Sequence, residues 1–255
     1  MIASLAKFID WLSIQKNCMR VPPIDGRTLR LKEALQFLKG PDFIRSESQP
    51  ARVVFNPDQS GLPFRFPTPQ PSGFAENNLV CGRFYRCPGR WQERPVIVLL
   101  HGGSIMQGCD GSLGYRFGYP LIARRCNRAG FNAVTMEAPY HFQRYPRQLG
   151  AVNHVDYLRM AEAVAQAVAE IRALTGWLLG EGCPAVALWG LSMGGWLAGM
   201  TVCRDARLTA VVMTLPTVRS NPSYADRIIW RRVREAWQGV RAAEEKLDMT
   251  RMALS

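Results

Sequence analysis

The middle of the chain alternates between two hydrophobic patterns, which predict strands and helices in turn. Short, mostly apolar runs bounded by turn residues are typical of strands buried in a parallel sheet. Such strands are predicted at Leu79–Cys87, Val96–Leu100, Phe131–Met136, Ala185–Trp189 and Leu208–Leu215. Apolar residues three to four positions apart predict helices between them, at Pro120–Ala129, Val155–Leu174 and Met193–Cys203. This alternation indicates an α/β fold of three layers around a mostly parallel sheet.

The first part of the chain is less regular. Apolar residues at helical spacing predict a helix in 1–12, and a second helix runs from a Thr28 cap to Leu38. We expect 1–40 to dock on the core, with a helix on a membrane surface as the alternative. Proline and polar residues dominate 41–71 and predict extended, turn-like backbone. The chain therefore divides into an N-terminal helical and extended segment (1–49), a core (50–216) and a helical segment (217–255).

The composition is that of a folded globular protein, with 47% hydrophobic and 20% charged residues among 255. Disordered and collagen-like classes are thereby excluded. No run reaches the ~18–20 apolar residues of a membrane span. Lys7, Asp10 and Lys16 interrupt the start of the chain, which therefore lacks the apolar region of a secretory signal. We expect a cytoplasmic protein without a transmembrane segment.

The net charge of +12 bears on the choice of partner. The arginines are spread from Arg20 to Arg251, whereas a nucleic-acid surface clusters them with aromatic residues. We therefore expect no nucleic-acid partner; the alternative predicts association that weakens steeply with salt. Attraction to an anionic substrate or membrane stays open.

The cysteines and histidines do not form a metal-binding pattern. The seven cysteines include no C-x-x-C pair, and without a secretory signal we expect reduced thiols. None of the three histidines lies at ligand spacing from a cysteine. The sequence therefore predicts no metal and no other cofactor.

The segment from Gly190 to Gly194, G-L-S-M-G, follows a predicted strand and opens a predicted helix. In this context G-x-S-x-G is typical of a nucleophile elbow, a strained turn in which the neighbours of the serine must lack bulk. The turn lifts the Ser192 hydroxyl above the sheet edge. There the backbone N–H of Met193 can stabilise an oxyanion. Ser192 is therefore the candidate nucleophile.

A second glycine turn, H-G-G-S from His101 to Ser104, closes the strand Val96–Leu100. Glycines here allow a sharp turn that aims another backbone N–H at the same oxygen. Gly103 is the first candidate for this oxyanion hole and Ser104 the second, and Ser104 is also predicted to contact substrate. His101 precedes the turn on a buried strand, so we expect it to be a structural, hydrogen-bonding histidine.

The order of these elements resembles the alpha/beta-hydrolase superfamily over residues 50–216. The run Glu137–His141, with Tyr145–Gln148, is similar to the abhydrolase domain-containing proteins. The resemblance implies a serine esterase-like hydrolase of small-molecule carboxylic esters or related acyl compounds. Ser192 would attack, an acyl-enzyme would form and water would release it.

In this superfamily an acid and a histidine follow the nucleophile, but no histidine follows Ser192 in this sequence. Asp226 is where some members place the acid, with a capping or exposed aspartate as the alternative. Asp205 lies at the far end of the helix after the serine and is excluded. His141 follows the carboxyl end of a strand, the edge where such sheets bind ligands, so we expect it to line the substrate pocket.

Three explanations stay open for the missing base. The sequence is a fragment that stops before the last two strands, with Tyr224–Ser255 as a partial helical cap. Alternatively it is a naturally short, non-catalytic binding or scaffold protein, or His141, His154 or a second chain supplies the base. Loss of the base removes ~10⁴–10⁶ in turnover, so we expect weak or no activity. A missing strand would leave a sheet edge uncovered and favour homo-oligomers.

Overall fold

The computed structural model describes residues 30–41, 43, 49–56, 62–103, 114–152 and 157–216. Several predictions concern residues outside these ranges. They are the first helix, the Thr28 cap, Ser104, His154 and the helical segment 217–255 with Asp226.

The described residues contain one seven-stranded sheet with helices on both faces. Its strands are β1 (Val54–Phe55), β2 (Leu62–Pro67), β3 (Leu79–Tyr85), β4 (Val96–Leu100), β5 (Asn132–Met136), β6 (Val186–Leu191) and β7 (Ala210–Thr214). The α-helices in the described ranges are α1 (Leu31–Lys39), α2 (Tyr119–Arg128), α3 (Tyr157–Gly180) and α4 (Met193–Val202). The strands are ordered β1-β2-β3-β5-β4-β6-β7 across the sheet. The predicted α/β class is confirmed.

The sheet has a parallel part and an antiparallel part. Strands β5, β4, β6 and β7 are parallel neighbours. On the other side of β5, the strands β3, β2 and β1 follow in this order, and each is antiparallel to the one before it. The sequence predicted only extended and turn-like backbone where β1 and β2 lie. Their pairing was missed because Pro63 and Pro67 suggested a break. In β2 these prolines flank an alternating pattern in which Phe64 and Phe66 are buried and Arg65 is exposed.

The inner strand β4 shows why the fold has three layers. Val96, Val98 and Leu100 face the large core that includes residues of α1, α3 and α4. Ile97 and Leu99 point to the other face and pack in a smaller cluster with residues of α2. Alternate residues of one strand therefore fill two cores, as expected for a sheet covered on both sides.

The parallel strands bring three chain segments to one edge of the sheet. The carboxyl end of β4 leads into the glycine turn 101–103, β5 into the 137–144 loop, and β6 into Ser192. Because β4 lies between β5 and β6, these three segments are neighbours. Within the described ranges, no helix combines the length and the apolar character needed to cross a membrane.

Candidate active site

Ser192 lies in a strained turn between β6 and α4. Its backbone angles are φ 52° and ψ −117°, a region that residues with a side chain rarely adopt. Its N–H donates to the carbonyl of Thr214 at 2.8 Å, which ties the turn to the end of β7. Its side chain forms no cap hydrogen bond to α4. The serine is thus held in an unfavourable conformation by the strands around it.

The positions of the glycines on either side of Ser192 leave no room for a side chain. A Cβ on Gly190 would overlap the carbonyl group of Gly194, and a Cβ on Gly194 would overlap the carbonyl of Leu100. A Cβ on Gly195 would lie 3.1 Å from the carbonyl oxygen of Gly190, again tighter than ordinary contact. The turn therefore closes only because these positions lack side chains.

The glycine turn after β4 lies beside Ser192. A Cβ built on Gly102 would be 3.5 Å from the Ser192 Cβ. The Gly102 N–H donates to the Tyr119 hydroxyl at 3.2 Å, whereas no acceptor in the described part of the chain takes the N–H of Gly103. Gly103 has φ 146°, which favours glycine. The N–H of Met193, the first residue of α4, has no partner within the helix.

His101 is fixed by two hydrogen bonds and buried, with 2% of its surface exposed. Its Nδ1 lies 2.9 Å from the carbonyl oxygen of Gly102, and its Nε2 accepts the N–H of Ala138 at 3.0 Å. A carbonyl oxygen only accepts, so the proton resides on Nδ1. Burial, reinforced by nearby His141, lowers the pKa of His101 to about 3. The ring is therefore neutral and structural, as the sequence indicated.

His141 lies on the other side of the glycine turn. Its Nδ1 is 2.8 Å from the carbonyl oxygen of Pro139, which places the proton of the neutral ring on Nδ1. Its Nε2 would be 3.3 Å from a Cβ built on Gly103. The ring centroids of His101 and His141 are 5.0 Å apart. His141 is thus next to the predicted oxyanion donor Gly103.

A buried ion pair that the sequence analysis missed holds the 137–144 loop. The Arg144 guanidinium donates to both carboxylate oxygens of Glu170 on α3, at 2.8 and 2.6 Å, and both side chains are fully buried. It also donates to the carbonyl oxygens of Glu137 and Asn77, each at 2.7 Å. The signal was Glu170, an acidic residue on the apolar face of the predicted helix.

Asn77 extends this network to the strained part of the loop. Its Oδ1 accepts the N–H of Tyr140 at 2.8 Å, and its Nδ2 donates to Gln166 on α3 at 2.8 Å. Tyr140 and Phe142 have φ of 60° and 48°, which side-chain-bearing residues rarely adopt. A buried polar contact therefore fixes Tyr140, one of the two residues that flank His141.

Asp205 lies away from the site, as expected. Its carboxylate accepts hydrogen bonds from Arg207 at 2.6 and 2.8 Å, and Arg172 lies 3.9 Å away. Burial raises the pKa of Asp205, but the hydrogen bonds and charge of Arg207, with a smaller effect of Arg172, bring it below its ordinary value. Asp205 is an ion-pair residue at the end of α4.

The strand order, the turn at Ser192 and the adjoining glycine turn together define an alpha/beta-hydrolase fold. The chain belongs to the family described as Alpha/beta hydrolase domain containing 18, whose model matches residues 75–252.

Solved esterases and hydrolases resemble parts of the chain. Acetyl Xylan Esterase 1 from Thermoanaerobacterium sp. JW/SL YS485 gives a TM-score of 0.49 at 15% identity, covering 88% of this chain and 72% of that one. Ferulic acid-bound Est1E from Butyrivibrio proteoclasticus gives a TM-score of 0.41 at 10% identity, covering 54% of this chain and 49% of that one. The hydrolase GrgF from Penicillium sp. sh18 gives a TM-score of 0.45 at 16% identity, covering 74% of this chain and 56% of that one. The match thus spans about half the length of Est1E. A search of curated proteins finds no match.

Proposed function

We propose that the protein is a serine hydrolase of carboxylic esters or related acyl compounds, with Ser192 as the nucleophile. The observation that carries this proposal is the backbone of Ser192, at φ 52° and ψ −117° between glycines that admit no Cβ. Strain of this kind costs about 1–3 kcal/mol and persists where function requires it. A nucleophile elbow is the use of this geometry that fits a serine between a strand and a helix.

The reaction would proceed through an acyl-enzyme. The Ser192 oxygen attacks the ester carbonyl carbon while its proton passes to a base, and the bond to the alcohol oxygen breaks as that oxygen takes up a proton. Water then attacks the acyl carbon, which releases the acid and restores the Ser192 hydroxyl. The backbone N–H groups of Met193 and Gly103 would stabilise the oxyanion in both steps.

The histidines divide into different roles under this proposal. His101 is unsuitable as a base because the Gly102 carbonyl and the Ala138 N–H occupy both ring nitrogens. His141 would line the pocket, because its Nε2 faces Gly103. With no histidine after Ser192 in the sequence, we expect turnover to be reduced by ~10⁴–10⁶, because Ser192 lacks the usual base that takes up its proton.

The test is hydrolysis of short p-nitrophenyl esters by the 255-residue chain. Ser192→Ala should reduce the rate to that of an unrelated protein at equal concentration. Cys203→Ala is the matched control, because Cys203 is an exposed thiol that can itself react with such esters. A rate unchanged by Ser192→Ala, or removed by Cys203→Ala, would refute the proposal.

A second candidate is a binding protein that keeps the pocket without catalysis. The observation that favours it is the position of all three histidines before Ser192 in the sequence. This candidate predicts that short esters raise the melting temperature of the wild-type chain without being consumed. Ester consumption that depends on Ser192 would exclude it.

A further inference from the structure

A cavity of about 1150 Å³ opens on the α2 face of the sheet. Its described lining comes from β2, β3 and β5, from α2 and the turn before it, and from the loop after β5; it includes neither Ser192 nor residues 101–103. The lining rings of Tyr115 and Phe142 are stacked, with centroids 4.5 Å apart. The ring centroids of Tyr115 and His101 are 5.2 Å apart. An aromatic layer thus lies between this cavity and the candidate active site.

Arginines from separate elements converge on the cavity. Arg83 belongs to β3, Arg124 belongs to α2, and Arg116 lies in the turn before α2. Burial raises the pKa of Tyr85, and the charges of Arg83 and Arg124 both oppose that rise. Two guanidinium groups from different elements therefore act on one phenol inside the cavity.

The described lining of the cavity does not supply matching carboxylates for Arg116 and Arg124. Buried or half-buried arginines elsewhere do have such partners, as Arg144 has Glu170 and Arg207 has Asp205. Glu137 is the acidic residue in the described lining, and Gln143 donates to it at 3.0 Å from its amide side chain. Within the described ranges, Arg116 and Arg124 form no ion pair and no hydrogen bond through their side chains. The charges of Arg116 and Arg124 are therefore available to a ligand.

The lining also defines what the rest of a ligand must be. Guanidinium groups bind phosphate and carboxylate oxygens through paired hydrogen bonds. The rings of Tyr85, Tyr115, Phe142 and Phe117 offer surfaces on which a flat apolar group can stack. Phe117 is 68% exposed, a large apolar surface at the cavity wall.

We propose that this arginine cavity binds an organic anion, a phosphate or carboxylate group attached to a flat apolar body. The anionic group contacts Arg83, Arg116 and Arg124, and the apolar body lies against Tyr115 and Phe142. Binding is non-covalent and does not involve Ser192, so this site is distinct from the one proposed for ester hydrolysis.

The test is calorimetric titration at constant ionic strength with three probes: phenyl phosphate, inorganic phosphate and benzyl alcohol. Phenyl phosphate should bind at least tenfold more tightly than either of the others, because it alone combines the charge with the ring. All titrations are repeated with Ser192→Ala, where binding should be unchanged. Failure of the proposed hydrolase activity therefore leaves this result unaffected.

Two neighbouring arginines on α2 provide a matched pair of variants. Arg124→Gln should weaken phenyl phosphate binding at least tenfold, and Arg125→Gln less than twofold, because Arg125 is not in the described lining. Both residues are exposed, so both variants should fold, which circular dichroism checks. If both variants weakened phenyl phosphate binding equally, the effect would come from net charge alone, and the proposal would be overturned. Inorganic phosphate or benzyl alcohol that binds as tightly as phenyl phosphate would also overturn it.

Discussion

Single residues at the glycine-rich turns could be interpreted from the sequence because their constraints are local. A serine flanked by Gly190 and Gly194 needs only its own turn and the adjacent strand to define its geometry, and the structure shows that neither glycine has room for a Cβ. The pairing of Arg144 with Glu170 depends instead on how α3 packs against the 137–144 loop. Charge alone in the sequence does not specify such a partner, since 32 basic residues compete for 20 acidic ones.

Gly194→Ala should disrupt the turn. The added methyl overlaps the Leu100 carbonyl, a backbone group that cannot move without shifting β4. We expect a loss of about 3 kcal/mol in the free energy of unfolding, measured by urea denaturation. Gly73→Ala is the control, because no atom lies within 4 Å of its Cβ. Equal stability of the two variants would contradict the close approach at Gly194.

His101 should make stability depend on pH. Its pKa is about 3 in the folded chain and 6.5 ordinarily, so the unfolded chain takes up the proton first as pH falls. The free energy of unfolding should therefore decrease below about pH 6.5, by about 1.4 kcal/mol per pH unit from this residue. Urea denaturation from pH 6 to 4.5 measures the slope, and His101→Gln should be less steep by that amount. The same slope in both chains would contradict a neutral, buried His101.

At the scale of elements, the sequence predicted the parallel part of the sheet well. Observed bounds differ from predicted ones by no more than about two residues at most ends, as for Asn132–Met136 against the predicted Phe131–Met136. Apolar runs buried on both faces give a strong local pattern. The antiparallel β1 and β2 were missed because a two-residue strand and a strand ending in proline have little pattern of their own. Their pairing depends on β3, which a local pattern does not show.

The contact between α3 and the 137–144 loop is the element-level feature with the largest expected energy. Glu170→Gln leaves the Arg144 charge buried without a counter-ion, which should cost about 3–5 kcal/mol. At a temperature where the variant stays folded, ester hydrolysis should also fall, because the loop carries His141 beside Gly103.

Asp205→Asn serves as the comparison for Glu170→Gln. It breaks another carboxylate–arginine pair, but Arg207 is 39% exposed and keeps contact with water. We expect a cost of about 1–2 kcal/mol by urea denaturation and unchanged ester hydrolysis. Hydrolysis lost equally in both variants would show that stability, and not the loop, controls activity.

At the scale of the whole molecule, the described sheet ends at β7 with apolar side chains exposed. Val212 is 53% exposed and Met213 47%. Exposed strand edges of this kind pair readily with other chains. We expect the chain to self-associate in a concentration-dependent way in analytical ultracentrifugation. Val212→Lys should shift it toward the monomer, whereas a monomer at every concentration would contradict the expectation.

If Ser192 is the nucleophile, a fluorophosphonate should modify it covalently. The purified chain is incubated with a fluorophosphonate, and the modified residue is located by mass spectrometry of the digested protein. We expect one adduct, on the peptide that contains Ser192, and none in a folded Ser192→Ala variant. A folded wild-type chain without an adduct, or with its adduct elsewhere, would exclude Ser192 as the nucleophile.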